Sequence, residues 1–518
     1  MGLDRAHRPG GMDPVVRGSR PSEELERPAA RGAQENLLVI SDVHLGSDLV
    51  DAVARRNPSS LSTLARLDRD LTAFLEHYAS KRLDDRPWRL VVAGDLIDFI
   101  GMAILPAPGE VLTQSTDEER LHGLGSAEDH AVAKLRRVVE RHRLVFTRLA
   151  DFVSAGNRLV LVRGNHDADL HWSAVQAELR AGLCAFRSEP TEPAEHFDAR
   201  IEVSDWFHWV EGVAFVEHGH QYDAYCSFDH VMKPLSPRDP RRTAHALSDV
   251  LLRYIVRPTA GMREDGHESM TALDYLRFGL SLGVRGCALL ALRFVRAIFA
   301  LLALTRDHAS LAARRVRDEH ERHMETLSEL THIGIERIRS LAALHVRPVT
   351  HSAYRVLSTM MVDRVLWTLL HALLAITLVL LFPNLFVVAA VALALVSWGV
   401  GLRVMRRYRV LDPTDVLLHR AAKVAALFPA AYVVMGHTHL PRREMLEGGA
   451  TYVNVGTWAS EGDHAAPCTH LVIRQEAGGP VAELLRWDAT GPVRYTASAG
   501  TTPVVEHDGG TTATPRIA

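Results

Sequence analysis

Five short clusters of oxygen- and nitrogen-bearing side chains are spread along the chain: Asp42-Val43-His44, Gly94-Asp95-Leu96-Ile97-Asp98, Gly164-Asn165-His166-Asp167, His218-Gly219-His220 and Gly436-His437-Thr438-His439. One Asp or His at the end of an apolar run is commonplace, but five such clusters ask for a shared task. Carboxylates, imidazoles and an amide, with no thiolate among them, suit borderline divalent ions such as Mn²⁺, Fe²⁺ or Zn²⁺. A bridging carboxylate can hold two such ions about 4 Å apart, the spacing that clamps both oxygens of an in-line phosphoryl displacement. A hydroxide between two cations is nucleophilic near neutral pH, and a histidine outside the ligand set can protonate a poor leaving oxygen.

The clusters need elements that aim them. Leu37-Leu38-Val39-Ile40, Leu90-Val91-Val92-Ala93 and Leu159-Val160-Leu161-Val162 each stop at a cluster. Val213-Ala214-Phe215-Val216 and Tyr432-Val433-Val434-Met435 do the same, as buried strands delivering ligands from their C-terminal ends. Helical spacing of Leu67, Leu71, Phe74 and Tyr78, and again of Val132, Leu135, Val139 and Val153, predicts amphipathic helices between them. The class is therefore α/β. Thr451 to Val455, Thr469 to Arg474 and Val481 to Trp487 alternate like strands and are expected to complete a second sheet. Strand signals vanish over 227–428, which reads as a helical insertion.

The expected organisation is a leader at 1–35, an α/β domain in two parts at 36–226 and 429–489, the insertion at 227–428, and a loose tail at 490–518. At 518 residues with 47% hydrophobic and 23% charged residues the chain has material for more than one core. A formal net charge of −3 gives no reason to expect nucleic acid as a partner. Cys184, Cys226, Cys287 and Cys468 form no CxxC pair, which argues against a disulfide framework or a thiolate zinc site and fits a reducing compartment. Lysine occurs only at 81, 134, 233 and 423, with arginine in its place.

The order DxH, GDxxD, GNHD, H, GHxH resembles the calcineurin-like metallophosphoesterase superfamily, over roughly Leu37 to Trp487 without the insertion. The resemblance implies a double-sheet layered metallophosphoesterase fold, a binuclear metal centre and hydrolysis of phosphoric ester or diphosphate bonds. Carried over by motif, Asp42, His44 and His439 would hold one ion, Asn165, His218 and His437 the other, and Asp95 would bridge them. His166, oriented by Asp98, would contact the phosphate and protonate the leaving oxygen. Asp167 and His220 read as partners of ligands no less than as ligands. Manganese is the first expectation for the metal, with iron or zinc as alternatives. In detail, Gly164-Asn165-His166-Asp167 with His218-Gly219 and Cys226 looks most like the UDP-2,3-diacylglucosamine pyrophosphatase branch. That branch has His-Gly-Asp where this chain has His218-Gly219-His220, and its insertion is far shorter.

Leu366 to Leu402 is almost unbroken apolar sequence interrupted at Pro383-Asn384. Each half could insert favourably in a bilayer by roughly 3 to 6 kcal/mol before polar costs. Arg364 before it and Arg403, Arg406, Arg407 and Arg409 after it fit a transmembrane hairpin with both ends cytoplasmic. Val284 to Leu304 carries Arg285, Arg293 and Arg296 within about 80° of one another on a helical wheel, which predicts an interfacial helix rather than a span. The expectation is a membrane-anchored phosphoesterase facing the cytoplasm, acting on a lipid-linked or nucleotide-linked phosphodiester or pyrophosphate. Its alternatives are a hydrolase of a soluble phosphoester with the hairpin as anchor only, and a non-catalytic membrane scaffold.

Overall fold

The computed structural model describes residues 35–50, 58–190, 192–259, 261–262, 272–381, 385–407, 412–459 and 468–496. All of the expected leader but Glu35, most of the tail, Pro383-Asn384 and Arg409 lie outside the described residues.

Among the described residues twelve strands form two sheets. In chain order they are β1 (Asn36–Ile40), β2 (Trp88–Ala93), β3 (Arg158–Val162), β4 (Ile201–Ser204), β5 (Phe207–Val210), β6 (Gly212–Glu217), β7 (Ala430–Met435), β8 (Arg442–Met445), β9 (Thr451–Asn454), β10 (Thr469–Glu476), β11 (Gly479–Asp488) and β12 (Gly491–Arg494). The first sheet runs β12-β11-β10-β1-β2-β3-β4 and the second β5-β6-β7-β9-β8. β1 to β4 are mutually parallel, as are β6, β7 and β9, so their C-terminal ends lie along common edges.

Alternation along each strand sorts residues into layers. Leu37, Val39, Val91, Ala93, Val160 and Val162 face Ala214, Val216, Val434 and Val453 between the sheets. Leu38, Ile40, Leu90, Val92, Leu159 and Leu161 face the opposite way, against helices α1 (Pro58–Ser80), α2 (Glu128–Arg141) and α3 (Arg143–Ser154). Phe215, Val433 and Met435 turn to the outer side of the second sheet. The result is helix, sheet, sheet, helix. Strands buried on both faces are what the near-continuous Val/Leu/Ile runs require, each fully buried side chain contributing about 1.5–3 kcal/mol.

Two expectations are corrected. Thr469–Glu476 and Gly479–Asp488 do not join the second sheet: β10 pairs antiparallel with β1, Leu37 opposite Ile473 and Val39 opposite Leu471. A β1 buried on both faces and left at a sheet edge would carry unpaired backbone groups, and β10 satisfies them. The long pattern through Val132 to Val153 is two helices, broken at His142. That ring accepts Gly46 N–H at 3.1 Å and contacts Asp68 at 2.6 Å, which anchors the loop after His44 to the helical layer.

The segment after Ser227 is helical, with no strand among the described residues. Its first piece, α4 (Leu247–Leu251), runs into a wider π-helical turn at Leu252–Val256. There follow α5 (Gly283–His308), α6 (Leu311–Thr331), α7 (Ile335–Ala342), α8 (Ala353–Thr359), α9 (Val362–Leu381), α10 (Leu385–Arg407) and α11 (Thr414–Leu427). Leu247, Val250, Ile255, Leu290, Ala297 and Val356 form a core of their own. The charged stretch from Ala309 to Leu344 is interrupted at His332, whose φ of 57° ends α6. Met324, Ile338 and Leu341 join α11 in covering the second sheet.

Helices α5, α9 and a window of α10 (Val387–Met405) are long and apolar enough to cross a membrane. α5 thus meets that criterion despite its arginines. α9 and α10 lie side by side in opposite directions: Arg364 Nη2 donates to Met405 O at 3.0 Å and Trp367 Nε1 to Trp398 O at 3.2 Å. His371 faces Ser397 Oγ at 3.2 Å as an interhelical hydrogen bonder.

Candidate active site

The loops that leave β1, β2, β3, β6 and β7 meet at one edge of the two sheets. Asp42, Asp95 and His218 are fully buried there, with one ligand atom of each within 4.8 Å of the others. Asp42, His44 and His439 form an overlapping group, and so do His44, Asp95 and His166. Among the described residues ten non-glycines have positive φ, and five of them are Asp42, His44, Asp95, His437 and His439. Left-handed backbone costs such residues roughly 1–2 kcal/mol each, and strain of this kind collects where side chains must be aimed. Close approach also requires glycine. A Cβ on Gly94 would fall 2.3 Å from His218 Nδ1, and one on Gly436 1.9 Å from Ser41 Oγ.

The internal hydrogen bonds leave lone pairs facing lone pairs. His218 Nδ1 lies 2.8 Å from Ala93 O and so must carry a proton; its Nε2 faces Asn165 Oδ1 at 3.0 Å and Asp95 Oδ2 at 3.2 Å. The neutral ring therefore points a lone pair at two acceptors. His44 Nε2 and His439 Nε2 stand 3.3 Å apart, and His439 Nε2 is 3.2 Å from Asp42 Oδ1. Asp42 Oδ1 is buried without a hydrogen-bond partner. Divalent cations relieve all of these conflicts, so the donor set fits them. Without cations the charge falls on protons instead. Burial opposes ionisation of Asp42, yet His218 and His439 hold its carboxyl well below the usual range. Burial likewise opposes a charged His218, yet Asp95 and Asp42 push it up to about 9.

His166 and Asp98 form a separate pair. His166 Nδ1 donates to Asp98 Oδ1 at 2.8 Å, and Gly101 N donates to the same oxygen at 2.7 Å. Although burial opposes its charging, Asp98 and Asp95 raise His166 to about 10. The ring stands edge-on to His44, centroids 4.6 Å apart, and its side chain is 20% exposed against 1% for Asp98. His439 is open as well, so ligands approach from this side.

Every expected site residue reaches this edge, with one difference of detail. His437 Nε2 faces Asp223 Oδ2 at 3.0 Å and groups with Asp223 and Cys226, while its ring lies 5.2 Å from that of His218. Asp223 was missed by sequence reasoning. Its signal is an Asp five residues after His218, just past the 3₁₀ turn His220–Tyr222. Asp167 accepts Gly164 N at 2.6 Å and Leu96 N at 2.9 Å, which makes it a clamp between two ligand loops. His220 contacts Gln221, and burial keeps it well below its ordinary pKa.

One other group of metal-type residues, Asp229 with His308 and His351, lies within the helical segment. Its two rings stack at 4.1 Å with 15° between their planes. Lone pairs in two stacked ring planes do not converge on one point; instead His351 Nε2 contacts Asp229 Oδ1 and His308 Nε2 faces Thr350 Oγ1 at 2.9 Å.

Residues 36–253 match the family model of calcineurin-like phosphoesterases. The match indicates a phosphoesterase hydrolase that works with divalent metal ions. It contains Asp42, His44, Asp95, Asp98, Asn165, His166 and His218, and it ends before β7. A search of curated proteins finds no match.

Proposed function

We propose that this phosphoesterase is a two-metal enzyme anchored in a membrane, cleaving a phosphodiester or pyrophosphate bond of a lipid-linked or nucleotide-linked substrate on the cytoplasmic side. The observation that carries the chemistry is the convergence of Asp42, His44, Asp95, His218 and His439 into overlapping groups that share Asp42, His44 and Asp95. In this reading Asp42, His44 and His439 would hold one ion, Asn165, His218 and His437 would hold the other, and Asp95 would serve both. Bound there, two divalent ions would lower the pKa of a water and neutralise charge on the phosphoryl oxygens. Ala93 O fixes the His218 tautomer, and Asp223 steadies the His437 ring. Asp98 holds His166 Nδ1–H, which leaves Nε2 as the atom that gives its proton to the leaving oxygen.

The membrane reading rests on the apolar helices and on a parity argument. α5, α9 and α10 all lie between His218 and His437, whose rings are neighbours. An odd number of crossings would put the two histidines on opposite sides of the bilayer. Three candidate helices leave zero or two crossings, and for an anchor that spans the bilayer α9 with α10 is the favoured pair: α9 has 20 residues, about 30 Å of helix, and exposes Leu366, Leu369, Leu373 and Leu380. α5 instead buries Leu290, Ala297 and Leu301 in the core of its own segment and turns Arg293 to Thr259 at 2.9 Å. That suits a helix lying at the interface.

The test replaces residues 366–402 by a short polar linker. Hydrolysis of a small soluble diester should stay within about tenfold, a loss below roughly 1.4 kcal/mol, while activity on liposome-borne substrate falls much further. Equal activity on both presentations in the intact enzyme would mean that the helices serve as an anchor only.

A further inference from the structure

We infer that Arg257, contributed by the helical segment after Ser227, is a positioning residue for the Asp98–His166 pair. The inference rests on the reading of His166 as proton donor and adds a residue that no ligand or acid motif contains.

Arg257 Nη2 donates to Asp98 Oδ2 at 3.1 Å, and Nη1 donates to Ser47 O at 2.7 Å. Asp98 is 1% exposed, and its other oxygen already accepts from His166 and Gly101. The guanidinium therefore satisfies the remaining oxygen of a buried carboxylate, whose loss of a donor is expensive. It also joins two loops that must keep register. Ser47 lies three residues beyond His44, and Asp98 three beyond Asp95. The space is built for this contact: a Cβ on Gly101 would fall 2.3 Å from Arg257 Nη2 and 2.0 Å from Asp98 Oδ2.

The placement of Arg257 comes from the segment itself. Asp249 and Arg253 stand four residues apart along α4 and its π-helical continuation, and Arg257, four further on, caps that continuation; π-helical turns are frequent at functional sites. Arg253 reaches Glu118 at 2.8 Å and the carbonyls of Gly123 and Leu124, so it pins the same face to the α/β domain. Leu247, Val250 and Ile255 point the other way, into the core they share with α5 and α8. Arg293 of α5 donates to Thr259, two residues beyond Arg257. Helices that carry the membrane-type surface are thus packed, through one short segment, against the residue that orients the proton donor.

The experiment uses the full-length, Mn²⁺-loaded protein and two diesters. In bis-p-nitrophenyl phosphate the aryl oxide leaves with little need of a proton; in diphenyl phosphate the poorer leaving group depends on one. Arg257→Gln should lower kcat on diphenyl phosphate by about 10–100-fold, with kcat on the nitrophenyl diester within about threefold. KM and metal content by plasma mass spectrometry should stay at wild-type values, and Arg257→Lys should recover part of the loss. Equal losses on both diesters, a rise in KM with kcat unchanged, or no loss would overturn the inference. Should Arg257→Gln fail to fold, Arg257→Lys, which keeps the charge but cannot reach Asp98 and Ser47 together, must show a smaller loss with the same selectivity for diphenyl phosphate, and no selective loss there overturns the inference. His166→Ala separates the two levels. If it lacks leaving-group dependence, the acid role itself is wrong and the inference falls with it; if it shows that dependence and Arg257→Gln does not, only the role of Arg257 is wrong.

Discussion

His44 and His439, 395 residues apart in the chain, face each other through their Nε2 atoms at 3.3 Å beside the buried Asp42. Two imidazole nitrogens can share that space through a proton or through an ion. The neighbouring carboxylates and the His218 lone pair favour the ion.

Metal dependence follows. Chelation with EDTA, or Asp95→Ala, should reduce hydrolysis of bis-p-nitrophenyl phosphate more than about 100-fold, over ~2.7 kcal/mol of barrier. Adding back Mn²⁺ should restore the chelated wild type and leave the variant inactive. Full activity in either case would sink the two-metal reading.

His166→Ala should behave differently. The ring is held by Asp98 rather than by the Asp42 and His218 group, so metal content should stay at the wild-type value while turnover of diphenyl phosphate, whose leaving group needs a proton, drops about 10²–10⁴-fold. Loss of metal in this variant would reassign His166 as a ligand, a role its proximity to His44 and Asp95 keeps geometrically open.

The sheet strands and the site clusters were legible because strands buried on both faces leave unbroken apolar runs, and each run stops where a ligand begins. Sheet membership was not. Alternation in Thr469–Glu476 tells which residues face inward, but its partner is chosen by β1, far back in the chain. Asp223 and Arg257 were invisible for a similar reason: each acts by touching a site residue distant in sequence, and neither sits in a motif. Positive φ at Asp42, His44, Asp95, His437 and His439 is a three-dimensional signature of the same site.

Topology can be read by labelling. In a variant with the free cysteines at 184, 226, 287 and 468 replaced, single cysteines at Asn384 and Arg407 should react from opposite sides of a sealed vesicle. Labelling of both from the same side would leave the α9–α10 pair as a shallow or buried element.

Lys134 gives a pH signature unconnected with catalysis. Its ammonium is buried and donates to Phe99 O at 2.8 Å; burial lowers it from 10.5 to about 8. Between those values the unfolded chain binds more protons than the folded one, so this group's contribution to stability rises with pH there and is flat below about 8. The melting temperature of wild type minus that of Lys134→Met should therefore climb from pH 8 to pH 10. A constant difference would mean that Lys134 stays charged throughout.

The antiparallel seating of β10 on β1 has a bearing on biogenesis. β1 is the first strand of the fold to leave the ribosome and β10 nearly the last, with His437 and His439 made between the helical segment and β10. The membrane-type helices emerge while the hydrolytic centre still lacks two of its histidines and one neighbour of its central strand. Under the proposed membrane anchoring, a nascent chain engaged in insertion would carry an incomplete site, and hydrolysis would wait for the histidines made after the anchor.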